Sequence, residues 1–168
     1  MSEPQAARPY MPGYGILPAS EGNGLLPWAW AEEKLRKSRN FWVSSVWPDG
    51  RPHAMPVWGV WHDHAFWFSS SGGSRKTRNL VANAQCVVTT EDADSPVVLE
   101  GTAELIKDRA ALETLLNVMN EKYRTSYGMD MLDPKDNCAY RVRPTWVFGL
   151  RADEFTGTPT RWIFRDPE

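Results

Sequence analysis

The stretch Phe68-Ser-Ser-Ser-Gly-Gly-Ser-Arg-Lys-Thr-Arg-Asn-Leu80 decides how this chain is read. An apolar strand pattern ends in hydroxyl-rich and glycine residues, then gives way to a helix whose first turns carry Arg75, Lys76 and Arg78. A helix N-terminus offers unpaired backbone N–H groups and a partial positive charge, and glycines let an oxygen approach the backbone. With three cations around it, the stretch reads as an anion seat. The same cations equally suit the solvated face of a short helix, and the loop lacks the GxxxxGK[ST] spacing of a P-loop. Taken alone, the segment leaves both readings open.

Outward from it, the pattern is mostly β. On the N-terminal side, residues 40–47 are rich in β-branched and aromatic side chains, and Pro48-Asp49-Gly50 is a turn. Residues 51–61 form the returning strand, whose Pro52 and Pro56 place it at an edge or a bulge. A second turn at His62-Asp63-His64 leads into strand 65–69, completing a meander. On the C-terminal side, a helix over 74–84 is followed by strands over 85–90 and 96–106, the second bent at Gly101. Asp108 caps a helix from 109 to about 127, with Leu112, Leu115, Leu116 and Met119 on one side and Gly128 to stop it. Strands over 138–143, 145–150 and 161–165 finish the chain.

Residues 1–27 hold five prolines and four glycines, so no regular element is expected there. Tyr10, Met11, Tyr14, Ile16, Leu17, Leu25 and Leu26 are too apolar for a solvated tail, and the segment reads as an arm packed on the body or on a second subunit. Pro27 opens a helix over 28–37 with Trp28, Ala31 and Leu35 on one stripe. The expectation is an arm over 1–27 and one mainly β (α+β) domain over 28–168. That domain is a six- to eight-stranded antiparallel split β-barrel with peripheral helices.

Composition bounds the function. At 168 residues and 42% apolar content the chain fits one globular domain. No apolar run is long enough for a membrane helix and the N-terminus has no secretory pattern, so a cytoplasmic protein is expected. A net charge of −2 speaks against a nucleic-acid partner. Cys86 and Cys138 lack metal-ligand spacing, and His62 and His64 flank a turn aspartate with no third ligand, so no metal is expected. No serine elbow or assigned base marks a nucleophile, and no catalytic residue is assigned. Nine tryptophans imply a generous aromatic core with an interface, or a pocket that stacks on a flat ligand.

The order of the pieces adds what the pieces lack. A hairpin carrying Gly50-Arg-Pro-His-Ala-Met-Pro-Val-Trp58 is followed by a strand ending in Ser69-Ser70-Ser71 and by Ser74-Arg-Lys-Thr-Arg-Asn-Leu80 with Asn83. A valine strand and Glu100-Gly-Thr-Ala103 come next. This order resembles the pyridoxamine 5′-phosphate oxidase-like split β-barrel family over about residues 28–165. Phe148-Gly-Leu150 and Thr160-Arg-Trp-Ile-Phe164 are similar to its flavin/deazaflavin oxidoreductase branch.

The resemblance implies a homodimer binding the deazaflavin F420, or alternatively FMN, between subunits. It implies hydride transfer between that cofactor and an unsaturated small-molecule substrate. A non-catalytic flavin-, F420- or haem-binding protein is the rival of another class. Carried onto this chain, Arg51, Pro52, His53 and Met55 run beside the ring, and Phe68, Ser69 and Ser70 reach the ribityl chain and phosphate. Lys76 matches the phosphate-binding lysine, supported by Arg75, Arg78 and Asn79. Trp146, Arg161 and Trp162 complete the pocket from the partner. Pyridoxamine phosphate oxidation itself is not implied, because no second basic phosphate cluster lies near the C-terminus.

Overall fold

The computed structural model describes residues 3–164. Nine strands and three helices follow in order: β1 Gln5–Ala7, α1 Trp28–Lys37, β2 Phe41–Val46, β3 Pro52–Val57, β4 Val60–His62, β5 Ala65–Ser71, α2 Arg75–Ala82, β6 Gln85–Thr90, β7 Val97–Ile106, α3 Arg109–Tyr123, β8 Asn137–Gly149 and β9 Thr160–Ile163. All pairings are antiparallel, in the order β1-β9-β8-β7-β6-β2-β3, with β5 also pairing β8 and carrying β4 on its other side. Among the described residues β3 has no second strand neighbour, so the barrel is split rather than closed by hydrogen bonds. No helix of the described residues is long and apolar enough to cross a membrane.

The strand that organises this sheet is β8. It pairs with β7 from end to end, while its other edge serves β5 along Asn137 to Val142 and β9 along Trp146 to Gly149. The sequence suggests two strands here because Pro144 interrupts the ladder. The structure joins them, because the register shifts between Glu100 and Gly101 and opposes Gly101 to Pro144, skipping Thr145. A bulge is where a strand tolerates a proline. Thr145 Oγ1 donates to the Glu100 carbonyl at 3.2 Å. A Cβ on Gly101 would lie 2.2 Å from the Arg143 carbonyl oxygen, so only glycine fits.

Three other expectations change. Residues 51–61 break into β3 and β4 because Gly59 bonds to α3 instead of a ladder: its N–H donates to Tyr123 Oη at 2.9 Å and its carbonyl accepts from Lys122 Nζ at 2.9 Å. The arm does contain a regular element, β1, whose Gln5 to Ala7 pair with β9. Helix α3 ends at Tyr123 rather than near Tyr127, with Arg124 left-handed at φ 55°. The Asn120 side chain captures the chain that follows, accepting from Thr125 Oγ1 and the Tyr127 N–H and donating to the Tyr127 carbonyl. The last strand, expected over 161–165, runs Thr160–Ile163 and excludes Phe164, and Arg165 lies outside the described residues.

The core follows the alternation. Phe41, Val43 and Ser45 of β2 point inward with Val88, Leu99, Val142 and Val147. Helix α3 lays Leu112, Leu115, Leu116 and Met119 against Val60, Ala65, Trp67 and Ile106. Each such side chain contributes about 1.5–3 kcal/mol over leaving it in water. Trp28, Trp30, Trp61 and Trp162 form an aromatic plug between α1, β4 and β9, with Trp28 packed edge-on to Trp61 and Trp162 at 6.0 and 5.6 Å. Of these Trp162 and Trp61 are buried, as is Trp67, while Trp28 and Trp30 are partly buried and pack against the core. The other four, Trp42, Trp47, Trp58 and Trp146, keep surface.

Candidate anion and cofactor site

The strand-to-helix stretch folds into a linked set of hydroxyls under a buried lysine. Ser74 caps α2, its Oγ accepting from the Thr77 N–H at 3.2 Å, as a serine just before a helix should. Thr77 Oγ1 donates to the Ser71 carbonyl at 2.9 Å, which uses its proton. Ser74 Oγ therefore donates to Thr77 Oγ1 at 3.1 Å, and Ser70 Oγ must then donate to Ser74 Oγ at 3.0 Å. At the head of this series Lys76 Nζ donates to Ser70 Oγ at 2.8 Å.

Lys76 is the chemically unusual member. Its side chain is 8% exposed, and among the described residues it forms no ion pair. Burial lowers its pKa below the usual lysine value. An ammonium with three donors and one neutral acceptor is under-compensated at this depth, which is the condition an incoming anion would relieve.

The remaining candidates of α2 divide by helix face. Arg75 stacks on Trp47, its Cζ 3.6 Å from the ring centroid. Arg78 is exposed and donates to the Gly73 carbonyl at 2.9 Å. Asn79 is fully buried and ties α2 to β2, its Nδ2 donating to Ser45 Oγ at 3.1 Å while Oδ1 has no partner. It offers no side-chain surface within this chain. Phe68 is likewise fully buried, stacked with Phe66 and Tyr140, whereas Ser69 and Ser70 are half-buried where β5 emerges. Beneath them the Tyr140 hydroxyl is pushed up to about 12 by burial and by the neighbouring Cys138 thiol.

On β3, His53 and Met55 oppose Ser45 and Val43 and so share the inward side, where Met55 remains 47% exposed. His53 Nδ1 is buried without a partner, and its ring meets Trp47 at 6.4 Å. Pro52 opposes Val46 and lies on the other side of the sheet. Arg51 sits in the turn, paired with Asp49 at 3.0 Å and 4.4 Å from the centroid of Trp47.

Trp146, Arg161 and Trp162 are placed apart from this group. Trp146 lies on the outward side of the sheet, 6.2 Å from Phe148, and Arg161 opposes Phe148 on β9. Trp162 is fully buried in the plug and presents no surface. The structure thus gathers Ser70, Arg75, Lys76, Arg51 and His53 around the N-terminus of α2. Trp146 and Arg161 stay on a separate face. Sequence reasoning passed over Ser74 and Thr77, although a serine one residue before Arg75 is an N-cap signal. It also passed over Trp47, for which a contact made 28 positions away in sequence gives no local sign. Among the described residues no three His, Cys, Asp or Glu side chains converge as metal ligands.

Comparison with known proteins agrees with this arrangement at the level of fold. No curated protein matches the sequence. A solved F420 reductase superposes with a TM-score of 0.58 at 23% identity, over 69% of this chain and 94% of its own. A conserved hypothetical protein from Mycobacterium tuberculosis gives 0.66 at 22% identity, over 85% and 90%. A relative of general stress protein 26 from Clostridium acetobutylicum, of the pyridoxinephosphate oxidase family, gives 0.57 at 23%, over 72% and 85%. The family model for pyridoxamine 5′-phosphate oxidase matches residues 29–151, from α1 through β8. With most of its length so matched, the chain belongs to the pyridoxamine 5′-phosphate oxidase family, a family of flavin-related oxidoreductases.

Proposed function

We propose that this protein is a cytoplasmic, homodimeric oxidoreductase that binds F420 and transfers a hydride between it and an unsaturated small molecule, with FMN as the alternative cofactor. The observation that carries the reading is Lys76: a lysine nine-tenths buried, oriented by Ser70 and lacking a carboxylate partner among the described residues, at the N-terminus of α2. A phosphate suits that environment, since charge-assisted hydrogen bonds to an ammonium and to helix N–H groups are strong where water is excluded. Lys76, Ser70 and Arg75 would hold the phosphate, with Arg78 at the rim. The half-exposed side of β3, with His53 and Met55, would run beside the ring.

A bound flavin or deazaflavin supplies the electron chemistry, which explains why the site has no carboxylate pair or activated nucleophile. The residues of the chain then have three tasks: fixing the phosphate, orienting the ring, and keeping water away. F420 is placed first because of the closing Phe148-Gly-Leu150 and Thr160-Arg-Trp-Ile-Phe164 segments and because an F420 reductase shares the fold.

Dimerisation is supported by the outward side of the sheet. Cross-strand register puts Trp42, Pro56, Val98 and Phe148 on one face, and Trp146 and Ile163 share it. Trp42 is 46% exposed, and a broad aromatic patch of this kind is normally covered by another protein surface. A second copy there would bring Trp146 and Arg161 toward a shared site.

Parallel titration of the purified protein with F420 and FMN, followed by absorbance and fluorescence, tests the cofactor. Sedimentation tests the dimer. Saturable binding of F420 at about micromolar concentration, with reoxidation of the reduced form by enones or quinones faster than in protein-free solution, is expected. Tighter FMN binding would select the alternative. Binding without turnover would make the protein a carrier, and binding of neither would end the proposal.

A further inference from the structure

Trp47, where β2 runs into the hairpin turn, carries two guanidinium groups. Arg75 Cζ lies 3.6 Å and Arg51 Cζ 4.4 Å from the centroid of its indole. The residue is itself well fixed through its main chain. Trp47 N–H donates to the Arg51 carbonyl at 2.8 Å, its carbonyl accepts from the Gly50 N–H at 2.9 Å, and His53 packs against the indole edge-on.

The two arginines differ in one respect. Arg51 is compensated by Asp49, whose carboxylate accepts from Nε at 3.0 Å. Arg75 forms no ion pair among the described residues, and stacking on Trp47 is the contact that fixes it. It is also adjacent in sequence to Lys76, another cation without a carboxylate partner. Two uncompensated cations side by side repel, and a carboxylate would be the ordinary remedy, but it would cancel the charge it anchored. An indole face holds a guanidinium in place and leaves its charge available. Stacking also pins the first turn of α2 to the β2–β3 hairpin, as the buried Asn79 to Ser45 hydrogen bond does one turn further on.

We propose that Trp47 is a positioning residue for the anionic end of the ligand. It holds Arg75 beside Lys76 with its charge uncancelled, so that the pair presents two cations to one phosphate. This rests on the phosphate reading of the site given above, and it assigns to Trp47 no contact with the ligand itself.

The test is a double-mutant cycle on the full-length protein. FMN and F420 are titrated against wild type, Trp47→Leu, Arg75→Ala and the double variant, with Trp47→Phe as the conservative replacement and riboflavin as the phosphate-free probe. Trp47→Leu should weaken both phosphorylated cofactors by about tenfold, and Trp47→Phe by no more than about threefold. The double variant should bind no more weakly than Arg75→Ala, because Arg51 is held by Asp49 as well and the indole acts on the phosphate through Arg75. Riboflavin affinity should be the same throughout. Additive losses, equal weakening of riboflavin, or a Trp47→Leu protein that binds like wild type would each overturn the assignment. If wild type binds neither cofactor, the cofactor reading falls and this inference with it. If wild type binds and Trp47→Leu makes no difference, only the positioning role is lost.

Discussion

Lys122 should destabilise the folded protein at neutral pH, and replacing it with methionine should reveal by how much. Its ammonium lies 4.8 Å from the centroid of Phe41 and donates to the Gly59 carbonyl at 2.9 Å, in a half-buried position at the end of α3. Burial pulls its pKa from 10.5 down to about 8, with the Glu91 charge opposing the fall. A basic group with a depressed folded-state pKa prefers to be neutral in the native protein. Below pH 8 both folded and unfolded chains hold the proton and the full cost is present. Between about 8 and 10.5 the folded chain has released the proton and the unfolded chain has not, so stability rises with pH until the cost is gone.

The depression is equivalent to about 3 kcal/mol before screening. Because the amine still reaches water, about 1–2 kcal/mol is the realistic cost at pH 7. Lys122→Met removes the charge and keeps most of the stem, at the loss of one hydrogen bond worth about 1 kcal/mol. The Tyr123 hydroxyl lies 2.9 Å from the Gly59 carbonyl, but its one proton also has the Arg39 carbonyl at 2.7 Å. The variant should therefore match or exceed wild type at pH 7 and fall behind it by about 1 kcal/mol near pH 10, a swing of about 1–2 kcal/mol. Urea denaturation of both proteins at pH 7, 8, 9 and 10 measures this directly, since titrations common to both cancel in the difference. A difference that stays flat across that range would refute the reasoning and return Lys122 to ordinary behaviour.

Three further outcomes are expected. Lys76→Ala should weaken binding of the phosphorylated cofactor by about 1.5–3 kcal/mol in a calorimetric titration, the worth of a charged hydrogen bond, and unchanged affinity would remove Lys76 from the site. Gly101→Val should lower stability by about 2–3 kcal/mol, roughly 4–12 °C in a thermal melt, because its Cβ would meet the Arg143 carbonyl; a melt within a degree of wild type would mean the bulge can open. Trp42→Glu should convert the proposed dimer to monomers in sedimentation at micromolar concentration, by placing a charge in the apolar face; a persistent dimer would move the interface elsewhere.

What the sequence revealed and what it hid divide along the range of the interactions concerned. Asp108 and the stripe of Leu112, Leu115 and Leu116 act within a turn or two of helix, and the start of α3 was legible from them; Ser74 carries the same kind of local signal for α2. The inward side of β2 was not legible, because Trp42 and Val46 on its outward face are as apolar as Phe41 and Val43 on its inward one. Features that depend on distant partners were not legible. Gly59 ends a strand because Lys122 and Tyr123 take its polar groups, and Pro144 stays within a strand because Gly101 supplies a bulge opposite it. At the site, Lys76 could be singled out by type and by resemblance. That Asn79 faces the core, and that Trp47 anchors Arg75, depend on how α2 settles on β2.

The hydroxyl series under α2 works as a polarity filter. Its direction is set from the far end, where the Ser71 carbonyl can only accept, and each proton up to Ser70 is thereby committed. Ser70 has no hydrogen left to offer outward, and Lys76 has only hydrogens to offer. A newcomer at this end of the pocket meets donors from the lysine, while Ser70 Oγ can offer outward only its remaining lone pair. Reversing the filter would require Thr77 to give up the Ser71 carbonyl, which would keep the Ser74 N–H at 3.0 Å. The lysine thus presents only protons and the serine only a lone pair, and the serine's part is set by a backbone carbonyl at the far end of the series.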